Sequence, residues 1–383
     1  MQKLVLLYWG CVFLMYLSQL YYPVETRLDG RQSGARSFMW RRADLFMVIV
    51  IAWMTCFSFL RTSYNDTYNY RVMFDNAITL REFIEEKGLL KLGGNHLSYM
   101  YQSWMHDLTD NYHIYFFVPA FLSSLAVVKF FKQYSVNPAI SLLIFFSIGT
   151  YIMYVAALKQ CFAMFFLLLA VPYLEKKQYV KFYALVLLAM TFHTHAFMFL
   201  ICPFLCGKPW GKRMWILLLA ALFAIATYDS TLAVFMEYAE KIGAFVAEEE
   251  VFDGHSINEI RVMVYFVPGL LALVFRRRLF SNSTQTENLI VNLSCVSAFI
   301  LMIGLVEGAN LYARMAAYFE IFSALALPWM IGKLFEKQSA KFVGVVVAAL
   351  YFGYFYYEFA VSKSFGTAYA SISLWEFIKS LFG

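Results

Sequence analysis

Val180-Lys-Phe-Tyr-Ala-Leu-Val-Leu-Leu-Ala-Met-Thr-Phe-His193-Thr-His195-Ala-Phe-Met-Phe-Leu-Ile-Cys-Pro-Phe-Leu-Cys-Gly207 is the stretch on which the fold turns. It is almost wholly apolar, with two histidines at its middle. A helix crossing the hydrocarbon needs about 20 residues, with a working range of about 17–25. The stretch is therefore long for one crossing and short for two. It reads either as a single span or as a hairpin of two half-spans turning near His193–Thr194–His195.

The rest of the chain supplies the test. Apolar runs that meet or approach spanning length cover 3–22, 44–60, 113–131, 139–157, 160–174, 214–229, 260–275, 287–306, 315–332 and 341–359. Basic residues in the short loops mark the cytoplasmic side of a membrane protein. Arg27, Arg31, Arg36, Arg41 and Arg42 place the first loop inside and the N-terminus outside. Simple alternation then puts Lys129, Lys132, Lys176, Lys177 and Lys181 inside as well. If 180–207 crosses once, Lys208, Lys212, Arg213 and the triplet Arg276–Arg277–Arg278 all fall outside. If it is a hairpin, they return inside, together with Lys333, Lys337 and Lys341. The hairpin is the preferred reading. Half-spans of about 13 residues cannot meet lipid alone, so they must be buried in protein.

Composition agrees with a membrane protein. Of 383 residues, 61% are hydrophobic and 15% charged, whereas soluble domains carry about 25% charged residues. The apolar excess extends through the whole length, so residues 1–383 read as one polytopic domain. The expected fold is an all-α helical bundle of about 11–12 transmembrane helices. Its two long outer loops, 61–112 and 230–259, are expected to carry amphipathic interfacial helices, at 66–87, 96–108 and Ala233–Val246, the last followed by the acidic cluster Glu248–Glu249–Glu250. Lys3 to Tyr22 is too long and too aromatic for a signal peptide and reads as a span. Ser281–Asn288 reads as a polar linker, and Gly93–Gly94 as a turn. The net charge of +6 sits in inter-span loops, which argues against a nucleic-acid partner. Six cysteines lie in or beside apolar runs without metal-ligand spacing, as buried thiols do.

Ionisable side chains at membrane depth or at a bundle mouth are costly, so they are candidates for function. Four groups stand out. In the segment after the second span, Asp66 is placed to take a hydroxyl proton, and Arg61 and Arg71 to bind phosphate through two donors each. The same segment also reads as an interfacial Tyr/Arg belt with Asp66 capping a helix. Lys159-Gln160 offers a point charge for phosphate, or a lysine snorkelling to the headgroups. His193 and His195 supply a general base near neutral pH, or packed structural imidazoles; H-x-H without a third ligand makes a poor metal site. Glu307 and Arg314, with Asn310 and Tyr312 between them, give either an anion-binding arginine or an ion pair with each other. On the hairpin topology all these groups share the outer half of the membrane.

Five pieces in order carry a family resemblance: Arg61-x4-Asp66-Thr67 with Asn65 and Tyr70; Lys159-Gln160-Cys-Phe-Ala163; Glu175-Lys-Lys; Leu188-Ala-Met-Thr-Phe-His193-Thr-His-Ala196; and Arg314-x3-Tyr318-Phe319. Over most of its length the chain resembles the EpsG family of Wzy-type polysaccharide polymerases. It departs at Lys159, where the family commonly has arginine, and His195 is additional. The resemblance implies a metal-independent glycosyltransferase of exopolysaccharide, capsule or O-antigen synthesis in the bacterial inner membrane, with its active site facing outward. It would transfer a growing glycan from undecaprenyl diphosphate to the non-reducing end of an incoming lipid-linked repeat unit. It would need no nucleotide sugar and no cofactor, and its implied partners are membrane lipid, a flippase and a chain-length regulator. The residue roles expected on this reading are His193, Asp66 and Arg314 as catalytic groups, with His193 the favoured base and Asp66 its alternative or orienter. Arg61, Arg71, Tyr70, Lys159, Gln160, His195, Tyr318 and Glu307 are expected to bind substrate. Competing readings are a glycosyltransferase using a polyprenyl-monophosphate sugar, a flippase or transporter of lipid-linked oligosaccharide, and a sugar acyltransferase.

Overall fold

The computed structural model describes residues 2–23, 44–241, 255–362 and 369–382. The arginines of the first loop, Glu248–Glu249–Glu250 and the end of the stretch Ala233–Val246 lie outside the described residues.

Apolar runs become helices in the expected order. Helix α1 (Gln2–Tyr21) and α2 (Leu45–Phe59) lead to a short strand, β1 (Arg61–Ser63). Three helices follow outside the membrane runs: α3 (Thr67–Asp75), α4 (Leu80–Lys87) and α5 (His96–Leu108). Thr79 and Glu82 form a capping box at the start of α4, and Gly93, Gly94 and Asn95 turn the chain with positive φ before α5. The bundle resumes with α6 (Tyr112–Tyr134), α7 (Pro138–Ser147), α8 (Thr150–Ala156), α9 (Leu158–Glu175) and α10 (Tyr179–Phe192). A 3-10 segment, Thr194–Leu205, precedes α11 (Lys212–Ala226) and α12 (Tyr228–Lys241). Last come α13 (Glu259–Val274), α14 (Arg276–Leu279), α15 (Gln285–Ile303), α16 (Ala309–Leu334), α17 (Lys337–Tyr356) with a π turn at Tyr357–Val361, strand β2 (Ala370–Ser371) and α18 (Leu374–Phe382). The linker expected at Ser281–Asn288 is shorter than that. A second capping box, Thr284 with Glu287, starts α15 at Gln285.

The stretch 180–207 is a hairpin. His193 breaks it with extended backbone (φ −147°, ψ 115°) between α10 and the 3-10 segment. Both outer ends of the stretch meet α15. Thr286 donates to Glu175, just before α10, and the Asn292 amide donates to the carbonyls of Leu205 and Gly207, just after the 3-10 segment. A 3-10 run of 12 residues is unusual, because its hydrogen bonds are poorer than those of an α-helix. Here it is packed against α9, α10 and α16, the burial that so short an element needs.

The bundle thus has two distinct ends. At one, Lys132 pairs with Asp44 at 3.1 Å and donates to Ser18, Tyr134 donates to Glu175, and Lys333 pairs with Glu287. Lys129, Lys132, Lys176, Lys177, Lys181, Lys208, Lys212, Arg213 and Arg276–Arg277–Arg278 lie on or beside the elements that meet here, as do Lys333, Lys337 and Lys341. The other end holds β1, α3, α4, α5, the His193 turn and the loops before α13 and α16.

Among the described residues six helices are long and apolar enough to cross a membrane, or eight if two bent pairs each count as one span. The chain is a polytopic helical membrane protein. The remaining elements of the expected eleven or twelve crossings are short: α2, α10, the 3-10 segment and α13. The expected span 139–157 is broken into α7 and α8, which meet at 60° about Gly149 in the left-handed region. The Ile148 carbonyl freed by the break accepts from the Tyr265 hydroxyl at 2.8 Å. The run 214–229 ends in a 106° bend between α11 and α12. Helix α16 is the core, with 94% of its spanning window buried against 33% for α17.

The C-terminal segment braces the second end, a feature the apolar runs do not foretell. Strand β2 pairs antiparallel with β1, the Ile372 N–H donates to the Leu60 carbonyl, and the Tyr369 ring stacks on Phe57 at 4.1 Å.

Candidate active site

The site is built on the turn after α2. Arg61 is fully buried there. Its Nη1 donates to the Ser58 carbonyl at 2.5 Å and its Nε to the Thr67 hydroxyl at 3.0 Å, while its guanidinium lies 4.1 Å from the centre of the Phe116 ring. The Thr67 hydroxyl in turn donates to the Tyr64 carbonyl. Burial lowers the arginine's pKa from its ordinary value, and these acceptors and the ring face offset that cost. The chain passes this lock through Asn65, at φ 40°. Asp66 then occupies the N-cap position of α3 without a side-chain cap bond. Its carboxylate is turned elsewhere.

Its partner is Arg314. One Nη2 of this arginine stands 3.1 Å from Asp66 Oδ2, and the two side chains are 33% and 31% exposed. Of the alternatives for Arg314, an ion pair with Glu307 is not the one formed; Asp66 takes that place among the described residues. Arg314 sits in the second turn of α16, whose N-cap Gly308 has φ 73°. A Cβ on Gly308 would lie 3.0 Å from the Tyr228 hydroxyl, so the tight entry to α16 depends on glycine. The Gln160 amide donates to the Arg314 carbonyl at 2.7 Å, clamping α9 to α16 beside the site.

One turn further along α16, Tyr318 is fully buried and shares a 2.6 Å hydrogen bond with His193 Nδ1. The His195 ring lies edge-on to His193, with centroids 4.9 Å apart. The break is held from outside by Asn95, which accepts from the Thr194 N–H, and by Ser98, which donates to the Phe192 carbonyl. Lys159 donates to the Tyr99 hydroxyl at 2.8 Å and lies over that ring. Tyr70 is buried.

A cavity of about 860 Å3 opens between the turn, α8, α13 and α16. Asp66 and Arg314 line it, with Tyr64, Asn258, Arg261 and Asn310. Burial pushes the Tyr64 phenol up from its ordinary pKa, so it remains a hydrogen-bond donor. The sequence candidates divide at this point. Asp66, Arg314, Gln160, Tyr318, His193 and His195 converge around one stretch of α16. Of these only Asp66 and Arg314 line the cavity. Arg61 faces inward into its lock, away from the cavity. Arg71 is exposed, 3.7 Å from Asp75 and over the Tyr112 ring. Glu307 lies in the turn before α16 and does not line the cavity.

Three charged residues escaped the sequence reading. Arg261 lines the cavity and pairs with the fully buried Glu358 at 2.8 Å. Glu320, buried in α16, accepts from the Thr150 hydroxyl at 2.7 Å. Each lies inside a run counted as apolar, and the cost of a charge at membrane depth was the signal available. Among the described residues no three His, Cys, Asp or Glu side chains converge as metal ligands do.

A sequence model described as the EpsG family matches residues 44–372, which takes in every residue of the site. No curated protein and no solved structure matches the chain.

Proposed function

Since the chain belongs to the EpsG family, membrane proteins linked to exopolysaccharide synthesis, we propose that it polymerises lipid-linked repeat units. A growing glycan on undecaprenyl diphosphate would be transferred to the non-reducing end of an incoming unit. The observation that carries this reading is the Arg314–Asp66 pair, one-third exposed on the wall of a cavity large enough for a diphosphate and sugars.

The chemistry asks little beyond placement and charge. The leaving group is already a diphosphate, so the enzyme must neutralise charge as the anomeric C–O bond breaks and hold an acceptor hydroxyl in line. Arg314 suits the first task, because its guanidinium is always charged and can grip phosphate with two donors. A diphosphate that takes Arg314 releases Asp66 from its partner. The freed carboxylate then accepts the proton of the attacking hydroxyl, and the lipid diphosphate departs with its electrons. Asp66 is preferred to His193 as the base because it lines the cavity, whereas the Nδ1 of His193 is committed to Tyr318. His193 then acts by positioning α16 through that bond, with the His195 ring packed edge-on against it. Gln160, by holding the Arg314 carbonyl, does the same from α9. Lys159 adds positive charge beside this stretch. The basic residues at the opposite end of the bundle favour a cytoplasmic placement for that end and an outward-facing cavity.

The test is incubation of the purified protein with lipid-linked repeat unit. A ladder of lengthening glycans supports the proposal. A product extended by a single sugar points instead to a monophosphate-dependent glycosyltransferase, and movement of intact substrate across vesicles without new linkages points to a flippase.

A further inference from the structure

The polar cavity shares a wall with an apolar groove. The groove has a volume of about 580 Å3 and lies between α13, α16 and α17. Its lining descends α13 from Ile260 to Phe275 and is faced by α16 between Leu327 and Phe335 and by α17 between Val343 and Tyr354. At 1.5 Å per residue the α13 side is about 22 Å long, most of a hydrocarbon layer about 30 Å thick.

Its upper end is the cavity wall seen from behind. Asn258 lines the cavity, and its amide donates at 2.9 Å to the hydroxyl of Tyr357, which lines the groove. Ile260 faces the groove and its neighbour Arg261 the cavity. Glu358, which holds Arg261, follows Tyr357 directly. One strip of chain therefore presents charge on one side and hydrocarbon on the other.

We propose that this groove seats the polyisoprenoid tail of a lipid-linked diphosphate sugar whose headgroup lies in the cavity against Arg261 and Arg314. Charge complementarity selects the occupant. Two arginines at the head of one apolar channel suit a polyanionic headgroup on a single long chain, and the cavity has room for sugars attached to it. Arg261 thereby becomes a second diphosphate contact, held in place by Glu358. The inference deepens the polymerase reading and rests on it for the identity of the headgroup.

The full chain in phosphatidylglycerol vesicles is irradiated with a polyprenyl-diphosphate sugar carrying a diazirine in its isoprenoid chain, and the labelled peptides are mapped. The control is a phospholipid carrying the same group. Labelling by the isoprenoid probe is expected on the groove faces of α13, α16 and α17, and not by the control. Gly353 on α17 lines the groove, and a Cβ built there meets nothing within 4 Å, so a larger side chain enters open space. Gly353→Phe should keep the folded, monodisperse protein yet cut groove labelling about tenfold, the equivalent of losing contact with roughly two methylenes. Equal labelling by the phospholipid, isoprenoid labelling elsewhere, or no effect of Gly353→Phe would overturn the assignment. Labelling needs no turnover, so the two readings fail separately. Groove labelling without a glycan ladder sinks the polymerase reading alone, and a ladder with labelling elsewhere sinks the groove alone.

Discussion

The turn that carries Arg61 and the wall that carries Arg314 are adjacent regions, each built around one arginine, and they use the guanidinium in opposite ways. Arg61 is sealed, turns its Nη1 and Nε to Ser58 and Thr67 and rests on Phe116. Arg314 keeps a third of its side chain exposed and has a partner, Asp66, that an anion can displace. The first arginine shapes the loop so that Asp66 reaches the second. The motif of Arg61, Asn65, Asp66 and Thr67 thus divides between a buried scaffold and a carboxylate that faces the cavity, and the division follows from burial rather than residue type. Always-charged side chains are worth most to an anionic ligand where water can still be displaced from them.

Substitutions can break this comparison at either arginine. Arg61→Ala removes two charge-assisted hydrogen bonds and opens a hole, and should cost roughly 4 kcal/mol of stability, a large part of a typical total. The check is folded yield and thermal unfolding in detergent, and Arg61→Lys should rescue little because it lacks the fork. Arg314→Ala should do the reverse, leaving unfolding within error while glycan elongation falls about 10²-fold, as when one charge-stabilising donor is lost. Were Arg314→Ala to unfold the protein and Arg61→Ala to leave it stable, the assignments would have to be exchanged. A smaller effect is expected at the hinge between them and the histidines. Tyr318→Phe leaves His193 Nδ1 without its partner and should lower stability by about 1–3 kcal/mol, with a parallel loss of elongation if the imidazole positions α16. Arg71→Ala, at an exposed i,i+4 pair, should change unfolding by less than about 0.5 kcal/mol and leave elongation untouched. A strong elongation defect there would extend the site well beyond the cavity.

Much of the architecture was legible because the membrane enforces it. Apolar runs had to become helices, and the basic loops required 180–207 to fold back on itself at His193. The length and continuity of those helices were less legible. Nothing in the composition of 139–157 marks the kink at Gly149, which depends on Tyr265, far along the chain, capturing the Ile148 carbonyl. Within the site, Asp66, Arg314 and His193 stood out as costly groups in or beside apolar runs, whereas Tyr318 entered only through the family resemblance and its bond to His193 was not foreseen. Arg61 stood out for the same reason, although its surroundings give it another task. Side-chain direction at a turn is set by long-range packing, here Phe116 of α6 and the β2 strand, which one segment of sequence cannot reveal. Arg261 and Glu358 were hidden for a different reason. Each is diluted by the apolar residues of its run, and their meeting across the bundle explains how both are tolerated.

Arginine modification by phenylglyoxal, read residue by residue by mass spectrometry with and without saturating lipid-linked diphosphate sugar, compares the two arginines directly. Arg314 should react in the free protein and be protected by the substrate, while Arg61 should stay unreactive in both states. Modification of Arg314 at an unchanged rate in the presence of bound substrate would contradict the account.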